Sequence, residues 1–289
     1  MGDTQAGKTT TANITGIAHR VNTQLVNDPS ERLTYGSYLA LEELLAAQRP
    51  RTEQPDELLF IVIHQVYELW FKQLLHEAAR MQRCLADGAV IGAARAIERM
   101  LTILKTIVAQ VDVLETMTPS QFGAFRDALD SSSGFQSAQF REVEVMLGRR
   151  DERALAPFRP DTPERARIAA AMQRPSLFDS LLAYLAGEGY PVPGAVLARE
   201  VSLAYEPSDE VQQALLRVYE DDGPQAALCE RMVDLDEGVM EWRYRHVQMV
   251  RRMIGSQPGT GGSAGVGYLA STLMQPSFPD LWAVRGEIG

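Results

Sequence analysis

The feature that most restricts the fold of this chain is a stripe of mostly apolar residues between Gly223 and Gly255. The stripe is spaced by four and three residues throughout, as on one face of a helix, and comprises Leu228, Met232, Leu235, Val239, Trp242, His246, Met249 and Met253. Pro224 suits the first turn of such a helix, and Gly255 is placed to end it. The stripe therefore predicts one long helix that carries a histidine at a core position.

Two more long helices are predicted upstream. The segment that follows Pro55 has no helix breaker before Gly88. A second stripe, again with alternating spacings of four and three, comprises Ile97, Leu101, Leu104, Val108 and Val111. These patterns predict helices over residues 56–87 and from Ile91 to Met117.

The remaining segments are predicted to be short helices and connections. Short helices are expected over residues 120–129, with Ser120 as the cap, and around 176–187 and 209–221. Loops are expected over SSSGFQS and over the proline-rich, charged stretch 151–175. Because no segment alternates with a period of two, the chain is predicted to be all-α, with a flexible arm of residues 1–30 and one helical-bundle domain of residues 31–289.

Composition and charge narrow the class of protein. A net charge of -10 argues against a nucleic-acid partner. No apolar run reaches the length needed to span a bilayer, so no membrane partner is expected. The first residues lack the basic and then apolar pattern of a signal peptide, so secretion is not expected either. The two cysteines, Cys84 and Cys229, have no disulfide or zinc spacing, which favours a cytoplasmic protein.

Two glycine-rich motifs lack the context that their chemistry needs. GDTQAGKT at 2–9 fits the phosphate-loop pattern, but no strand precedes it, so no ATP dependence is expected. GTGGSAGVG at 259–267 loosely fits the dinucleotide fingerprint, yet it follows a helix rather than a strand. We interpret the second motif as a flexible loop whose backbone and hydroxyl donors suit a small polar substrate.

The histidines offer two interpretations. His246 is either a buried neutral imidazole bonded to a backbone carbonyl, or a metal or haem ligand with Trp242 one turn before it. His64 shares an apolar face with Phe60, Tyr67 and Phe71, a pattern that more often belongs to a core than to a cofactor site. Two histidines on separate helices are too few for zinc but enough for haem, which needs a single axial imidazole.

Arg126 lies between apolar positions in FGAFRDAL. An arginine in such a setting usually pairs with a carboxylate, because its planar guanidinium binds both oxygens at once. The carboxylate belongs either to a ligand or to an internal Asp or Glu, and the sequence does not choose between them.

Five stretches in the same order resemble the tryptophan 2,3-dioxygenase family. They are LTYGSYLALEELL (33–45), LLFIVIHQVYELWFKQLLHE (58–77), FRDALDSSSGFQSAQFREVE (125–144), WRYRHVQMVRRMIGSQPGTGGSAGVGYL (242–269) and FPDLWAVR (278–285). The resemblance implies a helical bundle around a haem b pocket, usually in a homotetramer. It also implies insertion of O2 across the indole C2–C3 bond of L-tryptophan, which yields N-formylkynurenine.

The resemblance also implies a role for individual residues. His246 matches the axial ligand of the haem iron, and Trp242 matches its aromatic neighbour. His64 matches the distal histidine that accepts a hydrogen bond from the indole N–H. Matches to substrate-binding positions are Phe60, which packs on the indole, Phe122, Arg126, which holds the carboxylate, Thr260, and Tyr35 and Tyr38, which reach a neighbouring subunit's pocket.

Two alternatives stay open at this stage. One is a related haem enzyme with the same motifs that acts on a modified tryptophan, or that inserts one oxygen atom and gives an oxindole. A helical binding or scaffold protein would use the same stripes for assembly and would bind no haem.

Overall fold

The computed structural model describes residues 32–130, 132–257 and 266–288. The chain divides into two units, Met1–Ala47 and Gln48–Gly289. The described residues of both units are helices and connections without a strand, so the predicted all-α fold is confirmed. The predicted boundary between an arm and a domain at residue 30 stays a prediction, because residues 1–31 lie outside the described part.

The α-helices are, in chain order, α1 Tyr35–Tyr38, α2 Leu41–Leu45, α3 Pro55–Ala86, α4 Val90–Leu114, α5 Pro119–Arg126, α6 Ala138–Met146, α7 Pro163–Met172, α8 Leu177–Gly187, α9 Gly194–Leu197, α10 Asp209–Asp221, α11 Pro224–Ile254, α12 Val266–Ser271 and α13 Pro279–Ala283. Short 3-10 turns are Asp127–Leu129, Gly134–Gln136, Glu152–Leu155 and Val284–Gly286. The three long helices predicted from the sequence are α3, α4 and α11.

Two local predictions were wrong. The helix predicted to start at a Ser120 cap starts at Pro119, because the Thr118 hydroxyl accepts a hydrogen bond from the Gln121 N–H. The stretch predicted as an irregular connection contains α7, which Thr162 caps and Pro163 begins. The predicted SSSGFQS loop also contains a 3-10 turn.

The core of the second unit forms where α4 packs lengthwise along both α3 and α11. Fully buried methionines from all three helices, Met81, Met100 and Met232, lie in this core. Helices α6 and α8 pack on α3, and α5 contacts α3 and α11 at the opposite end. This packing holds one face of α3 opposite one face of α11, where the candidate site lies.

Two buried carboxylates attach the C-terminal segment to this core. Asp236 on α11 accepts hydrogen bonds from the backbone N–H groups of Ser277 and Phe278 and from Trp282 Nε1, at 2.8, 3.2 and 3.0 Å. Asp280 accepts from Ser208 N–H and Gln212 Nε2 at the start of α10. Each acid therefore satisfies donors from segments far apart in the chain.

The apolar length of α3 differs from the prediction that no segment is long enough to span a bilayer. By length and composition alone this helix is long and apolar enough to cross a membrane, with a mean hydropathy of 1.2 over its most apolar stretch. It nevertheless packs on α4, α5, α6 and α8, and buries Glu57 and Glu77 within the fold. These contacts place α3 within the helical bundle, although only 17% of its most apolar stretch is buried.

Candidate active site

A cavity between α3, α5, α6 and α11 brings together six of the residues predicted from the sequence. They are Phe60, His64, Phe122, Arg126, Trp242 and His246. Most of the other lining side chains are apolar, among them Val111, Leu114 and Met117. The cavity thus combines a large apolar surface with a few polar groups, as sites for aromatic small molecules do.

His246 presents a neutral imidazole to this cavity. Burial, and secondarily the nearby His64, lower the pKa of His246 to about 4. No hydrogen bond with a described residue contributes to that shift. The Trp242 ring stacks on the imidazole, with centroids 5.3 Å apart and planes 6° from parallel. A neutral ring held in a fixed plane is the form in which histidine binds a metal.

His64 projects from α3 into the same cavity. Its Nδ1 lies 2.7 Å from the Phe60 carbonyl oxygen, which fixes Nδ1 as the donor in the neutral ring. Desolvation lowers the pKa of His64, so the neutral form is favoured. In that tautomer Nε2 is a hydrogen-bond acceptor.

Phenylalanine rings line the cavity beside His64. The Phe60 ring lies 4.1 Å from the His64 ring and 5.8 Å from the Phe122 ring, centroid to centroid. Phe125, one turn after Phe122, is buried behind both rings, with its centroid 5.6 Å from that of Phe60. Aromatic surfaces at these separations form a wall suited to a planar apolar ligand.

Arg126 ends α5 and lines the cavity. Its Nη1 donates a hydrogen bond to Oε1 of Gln257, which follows the C-terminal end of α11. That acceptor is a neutral amide rather than a carboxylate. A ligand carboxylate would bind the same guanidinium group more strongly than the Gln257 amide does, because the hydrogen bond would then be charge-assisted on both sides.

The sequence analysis missed a buried ionic cluster in the cavity wall. Arg141 and Glu144 on α6 and Arg243 on α11 are buried and line the cavity. The FREVE motif suggests a solvated pair at a spacing of three residues, and Arg243 lies beside exposed Tyr244. No signal in the sequence distinguishes these side chains from surface charges.

The remaining predicted site residues are not among the described residues that line the cavity. Tyr35 and Tyr38 are on α1 in the first unit, where their side chains are exposed. Thr260, most of the glycine-rich loop 259–267, and the phosphate-loop pattern at 2–9 lie outside the described residues. His76 on α3 is exposed, and His19 lies outside the described residues.

Comparison with known proteins places the site in a family. A sequence model described as tryptophan 2,3-dioxygenase matches residues 21–159 and 214–288. The chain belongs to the tryptophan 2,3-dioxygenase family. The family model leaves out residues 160–213.

Individual members of the tryptophan 2,3-dioxygenase family match almost the whole chain. The tryptophan 2,3-dioxygenase of Anaeromyxobacter dehalogenans is 64% identical over 266 residues, which cover 91% of this chain and 100% of the relative. That of Herpetosiphon aurantiacus is 53% identical, covering 90% of this chain and 100% of the relative. That of Bacillus cereus is 40% identical, covering 90% and 95%. The resemblance inferred from the sequence motifs is confirmed.

Proposed function

We propose that this chain is a haem-dependent oxidoreductase that adds both atoms of O2 across the indole C2–C3 bond of L-tryptophan. The product is N-formylkynurenine, and every atom of it comes from L-tryptophan or from O2. The observation that carries the proposal is the pair of neutral imidazoles, His246 and His64, in one aromatic cavity with Arg126 in its wall. Relatives that cover the chain and are named for this reaction support it.

The residues of the cavity fit a haem. His246 would hold the haem iron through a nitrogen of its neutral imidazole. The apolar lining suits the porphyrin ring, and buried arginine N–H groups in the wall suit its carboxylates. When bound, haem supplies the site at which O2 binds and is activated.

The chain's own residues would bind and orient the amino acid. Nε2 of His64 would accept a hydrogen bond from the indole N–H, while Phe60 packs against the ring. Arg126 would bind the substrate carboxylate in place of the Gln257 amide. Phe122 adds apolar surface, and Thr260 is proposed as a polar contact from the glycine-rich loop. His64 acts here as an orienting acceptor and need not remove a proton.

Trp242 is proposed to position the axial ligand rather than to touch substrate. Its ring stacks flat on His246 and is itself packed against Phe140 and Phe71, with centroids 4.7 and 6.2 Å away. This packing restricts rotation of the imidazole and excludes water from it. An imidazole that cannot rotate and is shielded from water would keep His246 in a constant position relative to His64.

The working enzyme is proposed to be a cytoplasmic homotetramer. Exposed apolar side chains on α3, among them Leu58, Val62 and Leu69, provide a surface for another subunit. Tyr35 and Tyr38 are 77% and 72% exposed, so both rings are accessible to a neighbouring subunit's pocket. The free cysteines Cys84 and Cys229 are in keeping with a reducing compartment.

A spectrum and a product mass test the proposal. The purified protein is expected to show a Soret band, and tryptophan incubated under 18O2 is expected to gain two labelled oxygen atoms. A gain of one atom would support the oxindole-forming alternative, and turnover of methylated but not free tryptophan would support the modified substrate. A protein that binds no haem and yields no product would instead support a binding or scaffold role.

A further inference from the structure

A buried group of charges in the cavity wall is not explained by substrate binding. Glu144 lies between three arginines. It contacts Arg141, and its Oε1 lies 3.1 Å from Arg149 Nη1 and 3.7 Å from Arg243 Nη2. The side chains of Arg141 and Arg243 are only 9% and 5% exposed. We call these four residues the Glu144 cluster.

The Glu144 cluster carries an excess of positive charge. Three guanidinium groups face one glutamate, and the only further acid that acts on Arg243 among the described residues is Asp236. Asp236 already binds the C-terminal segment through its Oδ2 atom. Desolvation lowers the pKa of Arg243, because burial makes the charged form of the guanidinium less stable. A buried excess of positive charge is stabilised by an anion.

Two N–H groups of the cluster lack an acceptor. Within the described part of the chain, Arg141 Nε and Arg243 Nη2 are buried and have no hydrogen-bond partner. Both arginines line the cavity that also contains His246, and Arg243 precedes His246 by three residues on α11, almost one helical turn. The missing acceptor is therefore expected to be an anion inside the cavity.

We infer that Arg141 and Arg243 bind a carboxylate group of the haem, an inference that rests on the proposed function. The charged residues that line the cavity within the described part are Arg126, Arg141, Glu144 and Arg243. Arg126, on a different helix, is the group proposed for the substrate carboxylate. Arg141 and Arg243 are thus left for the haem carboxylates, while Glu144 holds both guanidinium groups in place.

The alternative is a purely structural cluster. Glu144 partly neutralises the arginines, and the Phe135 ring lies 4.5 Å from the Arg141 guanidinium carbon as a cation–π partner. In that case the arginines would stabilise the packing of α6 on α11 and would be indifferent to the charge of the porphyrin. The two interpretations differ in whether the protein discriminates haem from its neutral diester.

The experiment compares haem with haem dimethyl ester, in which both carboxylates are blocked. The apo-protein is loaded with haem or with the ester. Transfer of the bound compound to excess apomyoglobin is then followed by absorbance at the Soret band. The wild-type protein is expected to lose the ester at least about ten times faster than it loses haem, because the ester cannot form the charge-assisted hydrogen bonds. The quantity compared between variants is this ratio of the two loss rates. Arg243→Gln and Arg141→Gln are each expected to reduce this ratio by about threefold or more.

The matched control is Arg149→Gln. Arg149 binds the same Glu144 but does not line the cavity, so its ratio is expected to stay at the wild-type value. Circular dichroism and thermal unfolding of the apo-proteins report on folding. If Arg141→Gln does not fold, Arg243→Gln and the charge-retaining Arg141→Lys decide, and the latter is expected to keep most of the ratio.

Two results would overturn the inference. One is a wild-type protein that loses haem and ester at the same rate, and the other is a ratio that Arg243→Gln leaves unchanged. Either can occur in a protein that still shows a histidine-ligated haem spectrum, which would leave the proposed function intact. Failure of the wild-type protein to bind haem at all would instead contradict the proposed function.

Discussion

At the scale of single residues, His246 is the group on which haem binding depends. Substitution of His246 by alanine is expected to abolish stoichiometric haem binding, because the cavity then loses its neutral axial donor. The measurement is the Soret absorbance per subunit after loading with haem. His76→Ala is the matched control, since His76 is an exposed histidine on α3. A His246→Ala protein with full haem and an unchanged ligation spectrum would contradict the assignment.

Gln257 is expected to influence substrate affinity through Arg126. A glutamate at this position would place a carboxylate on the guanidinium and compete with the carboxylate of tryptophan. Gln257→Glu is therefore expected to raise the KM for tryptophan by about tenfold, the effect of roughly 1.4 kcal/mol of competition, with a smaller change in kcat. Ser256→Glu adds the same charge at the neighbouring exposed residue and is expected to change KM little.

If Ser256→Glu raised KM as much as Gln257→Glu, general repulsion of the substrate rather than competition at Arg126 would explain the effect. A KM unchanged in Gln257→Glu would show that the side chain at position 257 does not compete with tryptophan for Arg126.

Candidate site residues could be picked out from the sequence where one position broke a pattern. His246 interrupts an apolar stripe, and Arg126 lies between apolar neighbours, so both were visible without a structure. Arg141 and Arg243 were not, because charged residues are common in helices and only tertiary packing decides which are buried. Arg243 is buried whereas Tyr244 beside it is exposed, a difference of one position around the helix.

At the scale of helices and segments, Asp236 holds the C-terminal segment on α11. Substitution by alanine would leave three donors without their acceptor, namely the Ser277 and Phe278 N–H groups and Trp282 Nε1. Asp236→Ala is therefore expected to lower the free energy of unfolding by about 3 kcal/mol. Urea unfolding of the apo-protein at a fixed subunit concentration measures this change.

The control for this prediction is Asp234→Ala on the same helix. Asp234 is half-exposed and lies 3.3 Å from Arg231, an ion pair whose loss is expected to cost less than about 1 kcal/mol. Equal losses in the two variants would mean that the contacts of Asp236 with the C-terminal segment add nothing.

Helix boundaries were predictable where a local signal was strong. Proline lies in the first turn of α3, α5, α7 and α11. The stretch that contains α7 was nevertheless predicted to be an irregular connection, because it is rich in proline and charged residues. Tertiary packing decides this case, since Ile168 and Met172 of α7 are buried against Phe158. A weak helical pattern becomes a stable helix when such a cluster covers its apolar face.

At the scale of the whole molecule, the periodicity of the sequence predicted the fold class but not the arrangement of the helices. Two apolar stripes and one long segment without a helix breaker imply three helices that pack on one another, and α4 does pack along α3 and α11. Which faces enclose a cavity depends on the crossing of the helices, which the stripes do not specify. The family motifs, rather than the stripes, joined α3, α5 and α11 into one predicted site.

The proposed contribution of Tyr35 and Tyr38 to a neighbouring subunit makes a prediction about mixed oligomers. A Tyr35→Ala, Tyr38→Ala double variant and an Arg126→Ala variant are each expected to show strongly reduced activity alone. Mixed in one oligomer, a subunit with intact Arg126 receives intact tyrosines from its neighbour. Random mixing at equal amounts is therefore expected to restore roughly a quarter of wild-type activity, since half of symmetric pairs are mixed and each has one complete site of two.

The two arrangements of the site give different outcomes in this experiment. If the tyrosines act within their own chain, every subunit in the mixture lacks either Arg126 or the tyrosines, and mixing restores nothing. The control mixes the Arg126→Ala variant with an Arg126→Ala, His64→Ala variant, in which no complete site forms in either arrangement. Size-exclusion chromatography of differently tagged subunits shows that exchange has taken place, so that an inactive mixture with proven exchange would rule out a shared site.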